Sequence, residues 1–186
     1  MSELRPAAAA LQARRSRPRL GPEAPDDATI VELLETAGTV ADHGAHRPWR
    51  VIALRGAARE RLGEALVAAT TLTGEDAARL AAKPLRAPLL LAVVAAPEFD
   101  VKVADWEQEA AAVGVAHALS LLLDEAGWGV IWRTGAQVRS EPVARMHGLA
   151  GTERLLGWLY VGAKLDDERP PRPPVGAAER FSVLEG

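Results

Sequence analysis

The longest uninterrupted helical pattern in the chain lies at residues 104–126 and reads ADWEQEAAAVGVAHALSLLLDEA. This segment contains no proline, is rich in Ala and Leu, and is weakened only by Gly114. Gly127 follows it, and glycine is the residue at which helices commonly end. A helix with this much apolar surface must be covered by other elements. We therefore predict a long, largely buried helix at the centre of the fold.

Other segments have the character of strands and shorter helices. The predicted strands are residues 49–54, 87–96, 128–135 and 154–163. The predicted shorter helices are residues 3–15, 57–70, 74–82, 141–149, and one that runs from a cap at Asp26 or Asp27 to about residue 40. Residues 87–96 are apolar nearly throughout, which favours a strand buried on both faces. No glycine fingerprint follows a strand, so a mixed α+β sandwich fits better than a dinucleotide-binding fold.

Length and composition exclude several classes of protein. A chain of 186 residues indicates a single domain, residues 1–186, with an N-terminal helix within 1–13 and a Pro-rich extension at 165–186. The absence of cysteine excludes disulfides, Cys-ligated metals and thiol catalysis. A net charge of −3 gives no argument for nucleic acid. No apolar run approaches the ~20 residues that span a membrane, so we expect a cytoplasmic protein.

Four arginines surround Ser16 near the N-terminus. They are Arg14, Arg15, Arg17 and Arg19. Guanidinium groups bind phosphate through paired hydrogen bonds, and a hydroxyl adds a further donor. The alternative is a solvated basic arm, in one version an arm that binds nucleic acid.

Two histidines lie close together in the segment ADHGAHRPWR, residues 41–50. His43 and His46 with Asp42 could ligate a metal, but strong zinc signatures carry a second ligand pair. The other interpretations are a polar loop and a histidine that contacts a bound cofactor. The residues alone leave these three open.

The strand at 128–135 ends in Trp132, Arg133 and Thr134 before a glycine turn. An arginine directly after a buried strand is costly unless an anion meets it, and the anion is either a ligand or a glutamate of this chain. His117, inside the long helix, is predicted to be a core or interface histidine. His147 is predicted to be a cation at a helix C-terminus.

These segments, in this order, resemble the nitroreductase-like FMN flavoproteins, most closely the short bacterial branch of NAD(P)H nitroreductases. The resemblance rests on ARRSRPRLGPEAP, ADHGAHRPWRVIAL, APLLLAVVA, KVADWEQEAAAVGVAHALSLLLDEAGWGVIWRTG and LLGWLYVG, and covers about residues 10–170. It implies a homodimeric α+β sandwich with a central mixed, mostly antiparallel sheet, and FMN at the subunit interface.

The resemblance also implies roles for single residues. Those expected to contact FMN are Arg14, Arg15, Ser16, His43, Trp132, Arg133, Thr134 and Arg172. Glu107 and Gln108 are expected at the interface or pocket. The chain departs from the family pattern at Pro18, Ala45 and Thr39, which weakens the expected contacts to the flavin ring.

The implied activity is that of an FMN-dependent NAD(P)H oxidoreductase. It would pass hydride from NAD(P)H through FMN to a nitroaromatic or quinone-like acceptor in a ping-pong scheme. The flavin would carry the chemistry, so neither a catalytic side chain nor a metal is expected. The alternative is an FMN-binding carrier or sensor without turnover.

Overall fold

The computed structural model describes residues 6–165 and 172–184. Within them the helices are α1 Pro6–Ala13, α2 Asp27–Ala37, α3 Ala57–Ala68, α4 Gly74–Ala81, α5 Asp105–Glu125 and α6 Glu141–Met146. The strands are β1 Trp49–Leu54, β2 Leu89–Ala95, β3 Trp128–Arg133 and β4 Arg154–Ala163. The bounds of β1, β4 and α5 agree with the sequence-based prediction to within one residue. The predicted ends of the α2 and α3 helices were two to three residues too late.

The four strands form one sheet in the order β1-β2-β4-β3. Every neighbouring pair of strands is antiparallel. At the outer edge of β3, Ser16 makes a parallel bridge to Val130. The predicted α+β fold with a mostly antiparallel sheet is confirmed.

Helices cover both faces of the sheet, as the apolar run of β2 predicted. All seven residues of β2 are buried. Its side chains alternate, so Leu89, Leu91 and Val93 pack with α2 and α5 while Leu90 and Ala92 pack with α3 and α4. The strand is therefore the shared centre of two apolar layers.

Helix α5 is the predicted central helix, 21 residues long. Its buried face includes Val115, Leu119 and Leu123, all at 0% exposure. At its start, Gln108 holds the preceding loop, accepting from Glu98 N at 2.9 Å and donating to Glu98 O at 2.7 Å. This buried amide fixes where the helix begins relative to β2.

The structure bears on two histidine predictions. His117 is exposed in the chain, because the buried face of α5 passes through Ala116 and Leu119 instead. This excludes a core position for His117, and its interface position stays a prediction. His147 does follow helix α6, but it is buried at 8% exposure and burial lowers its pKa. It is therefore a neutral histidine at neutral pH and not the predicted cation.

Parts of the predicted terminal segments lie outside the described residues. These are residues 3–5 of the expected first helix and 166–171 and 185–186 of the expected Pro-rich extension. The described part of that extension carries one short 3-10 turn, Ala177–Arg180. Across the described ranges, the helices are too short or too polar to cross a bilayer.

Candidate functional site

Three arginines meet where the end of α1 approaches the C-terminal tail. We call them the arginine cluster: Arg14, Arg15 and Arg172. The guanidinium of Arg172 donates to the carbonyl of Arg14, and that of Arg15 donates to the same carbonyl at 3.2 Å. Burial lowers the pKa of Arg14, and repulsion from Arg172 lowers it further. Arg15 and Arg172 also line a cleft of about 480 Å³. Like charges held this close are typical of a site for a multiply charged anion such as phosphate.

The residues after this arginine cluster run along the edge of β3. Besides the Ser16 bridge, the amide of Arg17 donates to Val130 O at 2.9 Å. Because Val130 is only two residues before Trp132, Ser16 lies about 7 Å along the strand from the residues at its end. The sheet edge thus joins the arginine cluster to the end of β3.

Trp132 and Arg133 project to opposite faces of the sheet at this end. The Trp132 indole donates to Leu156 O at 3.2 Å, and its ring meets that of His117 edge-on at 5.1 Å between centroids. The Arg133 guanidinium lies 5.4 Å from the centre of the Tyr160 ring. Its Nε is buried without a hydrogen-bond partner, and no carboxylate among the described residues forms an ion pair with it. The alternative of a salt bridge to a glutamate therefore finds no support among the described residues.

Arg133 faces a cavity of about 440 Å³ between the sheet, α3 and α4. We call it the basic cavity, because three cations and no carboxylate are among the described residues that line it: Lys83, Arg86 and Arg133. Aromatic walls come from Trp158 and Tyr160. Burial raises the pKa of the Tyr160 hydroxyl, and the positive charges of Arg133 and Arg86 act against that shift.

Sequence reasoning missed Lys83, Arg86 and Tyr160 as site residues. Both cations lie within KPLRAP, a proline-containing turn before a buried strand, and that context indicated only the end of a helix. Tyr160 is one of many large residues in β4. Only the pairing of β4 with β3 shows that it lies beside Arg133.

His43 sits in a separate loop in which both histidines contact carboxylates. Its Nδ1 lies 2.9 Å from Oε2 of Glu107, and that hydrogen bond is the main reason why the pKa of Glu107 is lowered. His46 Nε2 lies 3.3 Å from Oδ2 of Asp100. Asp42 accepts instead from the amide of Arg47 at 2.6 Å. In the described ranges no three His, Asp or Glu side chains come together to hold a metal, so the metal interpretation finds no support.

The structure does not bring His43 to the arginine cluster of its own chain. His43 contacts Glu107 in the first turn of α5, whereas Arg14 senses the charge of Asp124 in the last turn. At about 1.5 Å per residue, Glu107 and Asp124 are roughly 25 Å apart. One region of the chain therefore contains the arginine cluster and the end of β3. His43 lies in a different region.

Comparison with known proteins agrees with this fold. The sequence matches the Nitroreductase family model over residues 11–163. It is 34% identical over 154 residues to the Escherichia coli (strain K12) protein named "Putative NAD(P)H nitroreductase YdjA", an alignment covering 80% of this chain and 83% of that protein.

Solved structures share the architecture. A nitroreductase-like family protein from Bacillus cereus superposes with a TM-score of 0.80 at 24% identity, over 100% of both chains. The FMN and NADPH-dependent nitroreductase NfnB from Sphigopyxis sp. strain HMH superposes with a TM-score of 0.74 at 18% identity, over 97% of this chain and 99% of that one. At these identities the structures establish the fold. Because the family model spans most of the sequence, the chain belongs to the nitroreductase family and is an oxidoreductase.

Proposed function

We propose that this protein is a cytoplasmic, FMN-dependent NAD(P)H oxidoreductase that reduces a nitroaromatic or quinone-like acceptor by a ping-pong mechanism. The observation that carries the proposal is the arrangement along β3. A cluster of arginines suited to a phosphate and a basic, aromatic cavity suited to a heterocyclic ring lie along one sheet edge. FMN, when bound, would supply the hydride chemistry between NAD(P)H and the acceptor, so no acid–base pair of the protein is expected to be needed.

The residues present fit the two ends of FMN. Arg14, Arg15 and Arg172 would hold the phosphate, with Ser16 beside them. At the other end, Arg133 offers a buried Nε–H that no group of the described chain satisfies. A buried, unpaired donor costs about 1–3 kcal/mol, so a ligand carbonyl or ring nitrogen that accepted from it would be favoured.

The charges in the basic cavity suit a ring that gains electrons. Lys83, Arg86 and Arg133 line it without a neighbouring carboxylate. Cations in a partly enclosed site stabilise the negative charge that reduction places on a flavin. They supply positive charge in a chain whose departure at Pro18 weakens an expected contact to the flavin ring.

We further propose that each site is built from two subunits. His43 lies too far along α5 from the arginine cluster of its own chain to reach the same bound FMN. A two-fold dimer that packs the exposed sides of α5 together brings the His43 loop of one subunit to the β3 edge of its partner. Exposed apolar residues at the start of α5, such as Trp106 at 71% exposure, would become covered.

The first test is the visible absorption spectrum of the purified protein, recorded without oxygen before and after NADPH or NADH is added. Flavin bands that bleach support the oxidoreductase. Flavin bands that persist with both nucleotides support the alternative, an FMN carrier or sensor, which the altered positions Pro18 and Ala45 favour. Protein that neither contains nor takes up FMN would contradict both.

A further inference from the structure

His147 makes hydrogen bonds with both nitrogens of its ring. It is buried at 8% exposure directly after α6. Its Nδ1 lies 2.8 Å from the carbonyl of Val143, and its Nε2 lies 3.1 Å from Nε1 of Trp158. A carbonyl can only accept and an indole N–H can only donate. Nδ1 therefore carries the proton, and the lone pair of Nε2 receives the indole.

The indole on the other side of this bond is a wall of the basic cavity. Trp158 is 4% exposed, and what remains of its surface faces the cavity beside Tyr160. The His147 and Trp158 rings are tilted at 40° with centroids 5.9 Å apart, so the hydrogen bond, not stacking, fixes their relation. Without an acceptor, the buried indole N–H would be unpaired and the ring would turn to find another.

We infer that His147 is a positioning residue, which holds the Trp158 indole in place as a wall of the cavity that receives the flavin ring. The inference rests on the proposed function, because it assigns the ring to that cavity. It also gives the cavity a pH dependence. Protonation places a second N–H on Nε2, facing the indole N–H, so the bond to Trp158 is lost.

The charged groups around His147 oppose that protonation. Arg50 of β1 is close enough for its charge to disfavour the imidazolium, and it also donates to the carbonyl of Gly148 at 3.4 Å. Glu153, before β4, is engaged by Arg50 and accepts from it at 2.5 and 2.8 Å. Burial and Arg50 thus keep His147 neutral at neutral pH, and only acid conditions break the link to Trp158.

The test compares His147→Leu with His147→Gln, whose amide keeps one donor and one acceptor. FMN dissociation constants are measured by fluorescence between about pH 5 and 8. We expect His147→Leu to weaken FMN binding about tenfold at neutral pH. Wild-type affinity should fall in acid, while His147→Gln should bind nearly as wild type and lose the acid-dependent fall. In FMN-free protein, the indole N–H resonance of Trp158 should shift in His147→Leu, while that of Trp132 stays.

A Trp158→Phe background separates positioning from general damage. There, His147→Leu should have little further effect on FMN affinity, because the indole it would release is already absent. The inference is overturned if His147→Leu binds FMN with wild-type affinity and pH profile, or if it weakens binding equally in both backgrounds. Wild-type protein that binds no FMN would overturn the proposed function and this role together. The Trp158 resonance would still report the hydrogen bond.

Discussion

His43 and Arg14 lie near opposite ends of α5. His43 contacts Glu107 and Arg14 interacts electrostatically with Asp124, and the helical rise places these two acidic residues about 25 Å apart. If each FMN site combines His43 and Arg14 from different subunits, mixed dimers reveal it. Consider a heterodimer of a His43→Ala chain and an Arg14→Ala/Arg15→Ala chain. One of its sites would carry all three substitutions, and the other would keep His43 and both arginines. We expect this heterodimer to hold flavin at about half of wild-type occupancy.

Differently tagged chains, co-expressed and purified through both tags, provide the heterodimer, and absorbance gives its flavin content. The two parental homodimers are the controls. Flavin content no higher than that of the parents would place His43 and the arginines in sites of the same subunit, or show that the chain is monomeric.

The arginine cluster should recognise phosphate specifically. Arg14→Ala with Arg15→Ala removes two charge-assisted donors, each worth about 1.5–3 kcal/mol, so FMN affinity should fall roughly a hundredfold or more. Riboflavin, which lacks the phosphate, should bind both proteins alike. Titration of the apoprotein with each ligand measures this, and circular dichroism checks folding. Arg61→Ala with Arg79→Ala, which removes the same charge from exposed helical positions, should leave FMN affinity unchanged.

The ion pair of Arg50 and Glu153 should stabilise the fold in a pH-dependent way. Nε and Nη2 of Arg50 donate to the Glu153 carboxylate at 2.5 and 2.8 Å, and these hydrogen bonds lower the pKa of Glu153. The stabilisation is complete above the ordinary pKa of 4.5 and is lost as the pH falls through the lower folded-state value. Glu153→Gln should reduce the free energy of unfolding by about 1–3 kcal/mol at neutral pH.

Urea unfolding of Glu153→Gln and wild type at neutral pH and near pH 4 measures this, and the difference between them should shrink in acid. Glu141→Gln is the matched control, because its partner Arg145 is on the surface and both side chains are mostly exposed. That variant should differ from wild type by no more than about 1 kcal/mol. Equal losses in the two variants would contradict a special role for the Arg50 pair.

Gly157 is required where β4 passes close to the end of β3. It has φ of +122°, and a Cβ there would lie 2.5 Å from Arg133 O and 2.8 Å from Nε1 of Trp132. Gly157→Ala should therefore destabilise the protein by about 1–3 kcal/mol and disturb the strand end that carries Trp132 and Arg133. Thermal unfolding and FMN titration check both. Gly151→Ala, with open space around its Cβ and no positive φ, should change neither.

The sequence predicts the fold better than the site. The reason is that the fold elements follow from local patterns, whereas the site depends on contacts between residues that are distant in sequence. Strands β1 and β4 and helix α5 follow from local patterns of apolar residues, glycine and proline. The basic cavity does not, since Lys83 precedes a buried strand and Tyr160 lies within another. Sheet pairing alone brings Arg133 beside that phenol.

The wrong prediction for His147 and the excluded core position for His117 have the same origin. The sequence MHG at residues 146–148 suits a cation at a helix end. The protonation state of His147 depends instead on the Trp158 indole and the charge of Arg50, which are distant in sequence. His117 has apolar neighbours along the chain, yet its position on the helix turns it outward. The expected FMN contacts rested on the resemblance and stay predictions.

The bridge between Ser16 and Val130 has a consequence for how well this protein resists aggregation when no ligand is bound. β3 is an outer strand, and the segment carrying Ser16 covers part of its open edge. Uncovered outer strands are templates on which other chains add and aggregate. Because the same segment carries the arginines proposed to bind phosphate, we expect an anion bound there to keep the edge covered as well. Cofactor supply and resistance to aggregation would then depend on one short stretch of chain.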